Sequence, residues 1–200
     1  MKFQVMLTGV GGEGVLTSGA IIARAANIEG HFVRGVQLHG LAQRGGTIPT
    51  TVCFGSKKEI FSPGIMLADA DLIIAFEPLE AARAVNYARK EKTAFVISKF
   101  PYMPVYANLL DMPYPGMPEI IKRIKPFSKK TLVFNAHDIA SKQFGNSVFG
   151  NTLLIGAAAG SGLLPLSEKS LRKAIKDTAP KETETNLKAF EFGLKLGKQK

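Results

Sequence analysis

Cysteine, acidic residues and long apolar runs are all scarce in this chain, and each shortage excludes something. One cysteine, Cys53, in 200 residues excludes a disulfide framework within the chain. It equally excludes an iron–sulfur cluster or a thiolate zinc site built by this chain alone, because either needs several thiolates. No run of about 18 apolar residues occurs, so the sequence predicts no membrane-spanning helix. The N-terminus, MKFQVMLTGVGGEG, turns glycine-rich after a few apolar residues, which is not the build of a secretory signal peptide. The expectation is a cytoplasmic protein.

What is present suits a globular fold. Hydrophobic residues make up 46% and charged residues 21%, ordinary values that exclude a disordered or collagen-like chain. The length predicts a single domain over residues 1–200, with a helical tail from about residue 151. Lys+Arg 26 against Asp+Glu 16 leaves a net charge of +10. The excess is spread: six basic residues against two acidic from Glu119 to Lys142, and nine against five from Ser167 onward. Neither stretch carries aromatic residues placed for base stacking, nor a helix-turn-helix or zinc-finger pattern. A solvated basic surface is favoured, and a nucleic-acid partner is not expected.

Apolar runs of strand length alternate with helix-like segments, the pattern of a mainly parallel, doubly wound, Rossmann-like α/β sheet. Strands are predicted at Phe3–Thr8, Phe32–Gln37, Ile48–Phe54, Leu72–Phe76, Ala94–Ile97 and Leu132–Phe134. Helices are predicted at Val15–Ile28, ended by Gly30, and from Leu79 to about Lys90, with Pro78 in the first turn. The tail contributes Thr152–Ser161, Ser167–Thr178 with Ser167 as N-cap, and Glu182–Leu196. The proline-rich stretch between Pro101 and Pro118 reads as an extended surface loop.

Two glycine-rich segments carry the candidate chemistry. Gly9-Val10-Gly11-Gly12-Glu13-Gly14 matches G-x-G-x-x-G between a strand and a helix, where Gly9, Gly11, Gly12 and Gly14 allow a tight turn and a helix start attracts an anion. A nicotinamide site also needs a carboxylate about 20 positions on, and Phe32–Gln37 has none. A plain strand-to-helix turn stays open beside the nucleotide reading. The second segment, His39 to Thr47, sets His39, Gln43 and Arg44 among Gly40, Gly45 and Gly46. It follows the second strand, so it is expected at the carboxyl edge beside the first loop, facing an anionic ligand or a partner subunit. Glu77 points to the same edge or caps the following helix. His31 and His137 read as structural or surface residues, and Cys53 as a core residue. No catalytic residue and no metal ligand set is identified.

Taken together, G-V-G-G-E-G at 9–14, H-G-L-A-Q-R-G-G at 39–46 and A-D-L-I-I-A-F-E-P-L-E-A-A-R at 70–83 resemble the gamma-type domain of the 2-oxoacid:ferredoxin oxidoreductases. The resemblance covers almost the whole chain, and the second segment points to the arylpyruvate branch. Glu13 departs from it, since many relatives carry Gln there. The resemblance implies the small, cofactor-poor subunit of an enzyme that oxidatively decarboxylates arylpyruvates such as indolepyruvate to aryl-acetyl-CoA. Thiamine diphosphate, Mg and the iron–sulfur clusters would belong to a large alpha subunit, with ferredoxin as electron acceptor and coenzyme A as co-substrate. The alternatives are a gamma subunit acting with pyruvate or 2-oxoglutarate, and a nucleotide- or flavin-binding oxidoreductase built on the first loop.

Overall fold

The computed structural model describes residues 2–38, 45–104 and 111–200. Its centre is a six-stranded sheet of β1 (Lys2–Val10), β2 (Phe32–Gln37), β3 (Thr47–Gly55), β4 (Leu72–Ala75), β5 (Thr93–Ser98) and β6 (Ser128–Phe134), in the order β2-β3-β1-β4-β5-β6. β1 pairs parallel with β4 in the register Val5↔Leu72, and β4–β5 and β5–β6 are parallel too. β3 alone among these strands runs the other way, pairing antiparallel with β1 and β2. The sheet is therefore mainly parallel, as expected, with β3 as its one reversed strand among the described residues.

The central strands are buried on both faces, as parallel strands covered by helices must be. Every residue of β4 and of β5 is buried. Side chains alternate between two cores, as the two-residue strand period requires. Val5, Leu7, Ile74 and Val96 face one core, while Met6, Ile73, Phe95 and Ile97 face the other.

The first core is roofed by α1 (Val15–Ile28), α5 (Gly150–Gly160), α6 (Glu168–Thr178) and α7 (Thr183–Lys198). The second is roofed by α2 (Pro78–Arg83), α3 (Met117–Ile124) and the segment holding Ile60 and Ile65. A further helix, α4 (Ala136–Phe144), follows β6. α1 and β2 occupy the bounds expected from sequence. α2 is shorter, passing into a 3₁₀ turn at Ala84–Tyr87. α3 begins at the end of the stretch read as extended, with Pro118 in its first turn, where a missing N–H costs no bond.

The C-terminal helices are a layer of the core rather than an appendage. Leu153, Leu154, Ile155, Ala157 and Ala158 of α5 are all 0% exposed. α5 and α7 meet through two glycine pairs at i, i+4 spacing, Gly156/Gly160 and Gly193/Gly197. A Cβ built on Gly193 would lie 2.0 Å from the Leu153 carbonyl oxygen, and one on Gly156 would lie 2.3 Å from that of Phe190. Only the missing side chains let the two backbones come this close. Ser167 caps α6 as expected, accepting the Ser170 N–H at 3.2 Å.

Candidate functional site

The first glycine loop sits at the carboxyl end of β1 and is shaped by its glycines. Gly12 and Gly14 have φ of 104° and 73°, values that L side chains resist. A Cβ on Gly9 would lie 2.9 Å from Glu13 Oε2 and from Val15 Cγ2. The carboxylate of Glu13 folds back and accepts the Val10 N–H at 2.6 Å. Gly11 N–H donates to the Gly46 carbonyl at 2.9 Å, and Glu13 N–H donates to the Val10 carbonyl at 3.1 Å. Three of the loop's donors are thus engaged within the protein, which leaves little of the open cradle a pyrophosphate requires.

The end of the second glycine segment lies against the first, since Gly45 N–H donates to the Gly11 carbonyl at 3.4 Å. β2 ends and β3 begins at this same edge, in the register Gln37↔Thr50 and Val10↔Thr47. The expected adjacency holds for Gly45 and Gly46. His39, Gln43 and Arg44 lie outside the described residues.

Beside the loop is a carboxylate cluster. Glu77 is fully buried and caps α2, accepting the Glu80 N–H at 2.9 Å. It also accepts the Tyr102 N–H at 3.2 Å and the Tyr114 hydroxyl. One carboxylate thereby ties the chain after β5 and the chain before α3 to the start of α2. Glu80, also buried, accepts the Thr47 hydroxyl at 3.0 Å and pairs with Arg83. Burial pushes Glu13 up to about 7, opposed by the Val10 N–H and reinforced by the charges of Glu77 and Glu80. Burial raises Glu77 as well, against its three hydrogen bonds. Of this cluster, only Glu13 and Glu77 stood out in the sequence.

The carboxyl ends of β1, β4, β5 and β6 open on one cleft of about 370 Å³. It lies at the switch point of the sheet, where the chain leaves β1 toward β2 on one side while β4 leads to β5 and β6 on the other. Gly11, Gly12 and Glu13 form one wall, and Phe100, Tyr102 and His137 another. His137, read from sequence as a structural or surface residue, is half-exposed on this cleft. Its ring stacks on Phe100 with centroids 3.6 Å apart and planes at 9°, and Nδ1 lies 3.2 Å from Asp138 Oδ1. His31 packs near Phe54 instead, away from this edge. Cys53 is buried in β3, and burial pushes its thiol up to about 11, which fits a core residue.

Tyr102 and Val148, which line the cleft, carry exposed apolar surface. No group of three or more metal-ligating side chains occurs among the described residues. Nor is any helix among them long and apolar enough to cross a membrane.

A family model described as pyruvate ferredoxin/flavodoxin oxidoreductase matches residues 4–196. The chain belongs to this family. Within the family it is similar to proteins named indolepyruvate oxidoreductase subunit IorB. The one from Thermococcus kodakarensis is 34% identical over 99% of this chain and 97% of the relative. The one from Pyrococcus horikoshii is 35% identical over the same shares. Similarity to the 2-oxoglutarate synthase subunit KorC of Archaeoglobus fulgidus is lower, 26% over 99% of this chain and 89% of that one. Among solved structures, the fold matches part of the 2-oxoglutarate:ferredoxin oxidoreductase from Magnetococcus marinus, described with 2-oxoglutarate, coenzyme A and succinyl-CoA bound. The TM-score is 0.74 at 20% identity, covering all of this chain and 31% of that one. The same fold thus occurs both as a separate subunit and as a portion of a longer polypeptide.

Proposed function

We propose that this chain is the small, cofactor-poor subunit of a ferredoxin-dependent enzyme that oxidatively decarboxylates arylpyruvates, indolepyruvate among them, to aryl-acetyl-CoA. The observation that carries this reading is the end-to-end similarity of 34–35% to the IorB subunits, against 26% to a 2-oxoglutarate subunit. In the reaction, the bond from the 2-oxo carbon to its carboxyl group breaks and carbon dioxide leaves. The electron pair passes by single-electron carriers to ferredoxin, and the acyl group forms a thioester with coenzyme A.

The carriers this chemistry needs, thiamine diphosphate with Mg and iron–sulfur clusters, are assigned to a large partner subunit, because one buried cysteine cannot ligate a cluster. This chain's own share is structural and positional. Its carboxyl edge brings the first glycine loop and Gly45–Gly46 together beside a cleft whose lining includes exposed apolar side chains, and such a patch suits a protein interface. The segment His39–Thr47, tethered at Gly45 and Gly46, is assigned to contact with the large subunit at or near its active site.

Co-expression with a thiamine-binding, cysteine-rich chain tests the proposal. A stable complex that turns over indolepyruvate in preference to pyruvate and 2-oxoglutarate is expected. A complex selective for 2-oxoglutarate or pyruvate would move the chain to a sister branch.

A further inference from the structure

Behind the cleft, and divided from it by residues 146–151, a second pocket of about 380 Å³ opens where α1, α5 and α7 begin. Gly14, Thr17, Ser18 and Ile21 line it, and their i, i+3, i+4, i+7 spacing makes them one stripe of α1. Asn151 comes from α5, and Lys181 from the turn into α7.

The pocket's hydrogen-bonding capacity is lopsided. Ser18 is 1% exposed, and its hydroxyl has no hydrogen-bond partner. The side chains of Thr17, Asn151 and Lys181 make no hydrogen bond or ion pair among the described residues. α1 and α7 both begin without a side-chain cap, so their first-turn N–H groups are unpaired and carry the positive ends of two helix dipoles. Apart from Asn151 Oδ1, the amide and carboxylate acceptors of the lining each accept a bond already. Asn186 Oδ1 accepts the Thr152 hydroxyl at 2.7 Å, and Asn146 Oδ1 accepts the Val148 N–H at 3.0 Å. Glu182, the one carboxylate in the lining, is exposed and accepts the Thr185 hydroxyl at 3.3 Å. Two helix C-termini also border the pocket, where Gly145 N–H donates to the Ser141 carbonyl and Ala179 N–H to that of Ile175.

Spare donors, a cation and two uncapped helix starts around a concave space are the chemistry of oxyanion binding. We propose that this pocket binds a phosphate-sized oxyanion, free or as the phosphate group of an ester. Its ligands are the first-turn N–H groups of α1 and α7, the Thr17 and Ser18 hydroxyls, the Asn151 amide and the Lys181 ammonium. The site is distinct from the glycine-loop turn, whose donors are engaged, and it does not rest on the function proposed above.

The test is titration of the ¹⁵N-labelled full chain with inorganic phosphate at constant ionic strength, followed by amide chemical shifts. Saturable shifts at residues 15–18 and 183–185 are expected. Lys181→Gln, at an exposed position that leaves the fold intact, should raise Kd about ten-fold, and Ser18→Ala should raise it several-fold. Glycerol phosphate binding as tightly as phosphate would indicate the free anion, and tighter binding an ester. Three results would overturn the proposal: no saturable shift, shifts confined to Gly11 and Gly12, or a Kd indifferent to Lys181→Gln.

Discussion

Gly11 and Gly46 are joined backbone to backbone, the N–H of one on the carbonyl of the other at 2.9 Å, with Gly45 N–H returning to Gly11 at 3.4 Å. The first glycine loop and the Gly45–Gly46 end of the second segment thereby meet at the carboxyl edge of the sheet. The tie uses donors that a dinucleotide would otherwise take, and it anchors one end of the segment His39–Thr47 beside the cleft.

No functionally meaningful NAD binding is expected. The turn's donors are engaged by Glu13 and Gly46, and β2 ends without the carboxylate that would hold a ribose. Calorimetric titration with NAD and NADP should show nothing tighter than about millimolar, roughly −4 kcal/mol. Micromolar binding would instead support a nicotinamide enzyme.

Glu13 should make stability depend on pH. Its folded pKa of about 7 stands above the ordinary 4.5, so between those values the folded chain holds more proton than the unfolded one. Its contribution is then fully present below pH 4.5 and lost as pH rises through 7. Glu13→Gln keeps an acceptor for the Val10 N–H without the charge. At pH 8 the variant should be more stable than the parent by about 1–2 kcal/mol, a figure discounted for partial solvent access, with the gap closing at pH 4. Urea unfolding at the two pH values measures it, and an equal gap at both would refute the assignment.

Gly193→Ala should be strongly destabilising. The added methyl meets the Leu153 carbonyl oxygen at 2.0 Å and the Ala157 nitrogen at 3.0 Å, so α5 and α7 must separate. A loss of about 2–3 kcal/mol or more is expected by denaturant titration, on the scale of overpacked cores. Gly30→Ala, where a Cβ meets nothing within 4 Å but φ is +80°, should cost only about 1 kcal/mol, for backbone strain alone.

How legible the fold was depended on how local its cause is. α1 reads directly from an Ala/Ile-rich run between glycines, and β4 from four consecutive buried apolar residues. The reversed sense of β3 was not legible, because its alternating pattern is the same in either direction. α3 was hidden by the prolines around it, and α4 by its brevity and polar face. The site was legible as motifs and not as geometry. The glycine loops and Glu77 stood out by residue type. Phe100, Tyr114 and His137 gain meaning only when β5 and β6 bring distant segments to one edge.

Arg44 offers a planar fork suited to a carboxylate or phosphate. In the assembled complex, Arg44→Ala should weaken assembly or turnover by roughly 2–5 kcal/mol. Arg44→Lys should rescue poorly, because a point charge does not replace the fork. Thermal unfolding of the free subunit should be unchanged in both variants. Intact activity with collapsed subunit stability would make the segment a structural turn.

The most direct measurement of the central claim is arylpyruvate-dependent reduction of ferredoxin by the purified chain, alone and after addition of the thiamine-binding, iron–sulfur large subunit. No turnover by the chain alone, with turnover on reconstitution, is the expected result, because the electron carriers are assigned by the proposal to the partner. Reduction of ferredoxin by the chain alone, or full activity of the large subunit without it, would contradict the claim.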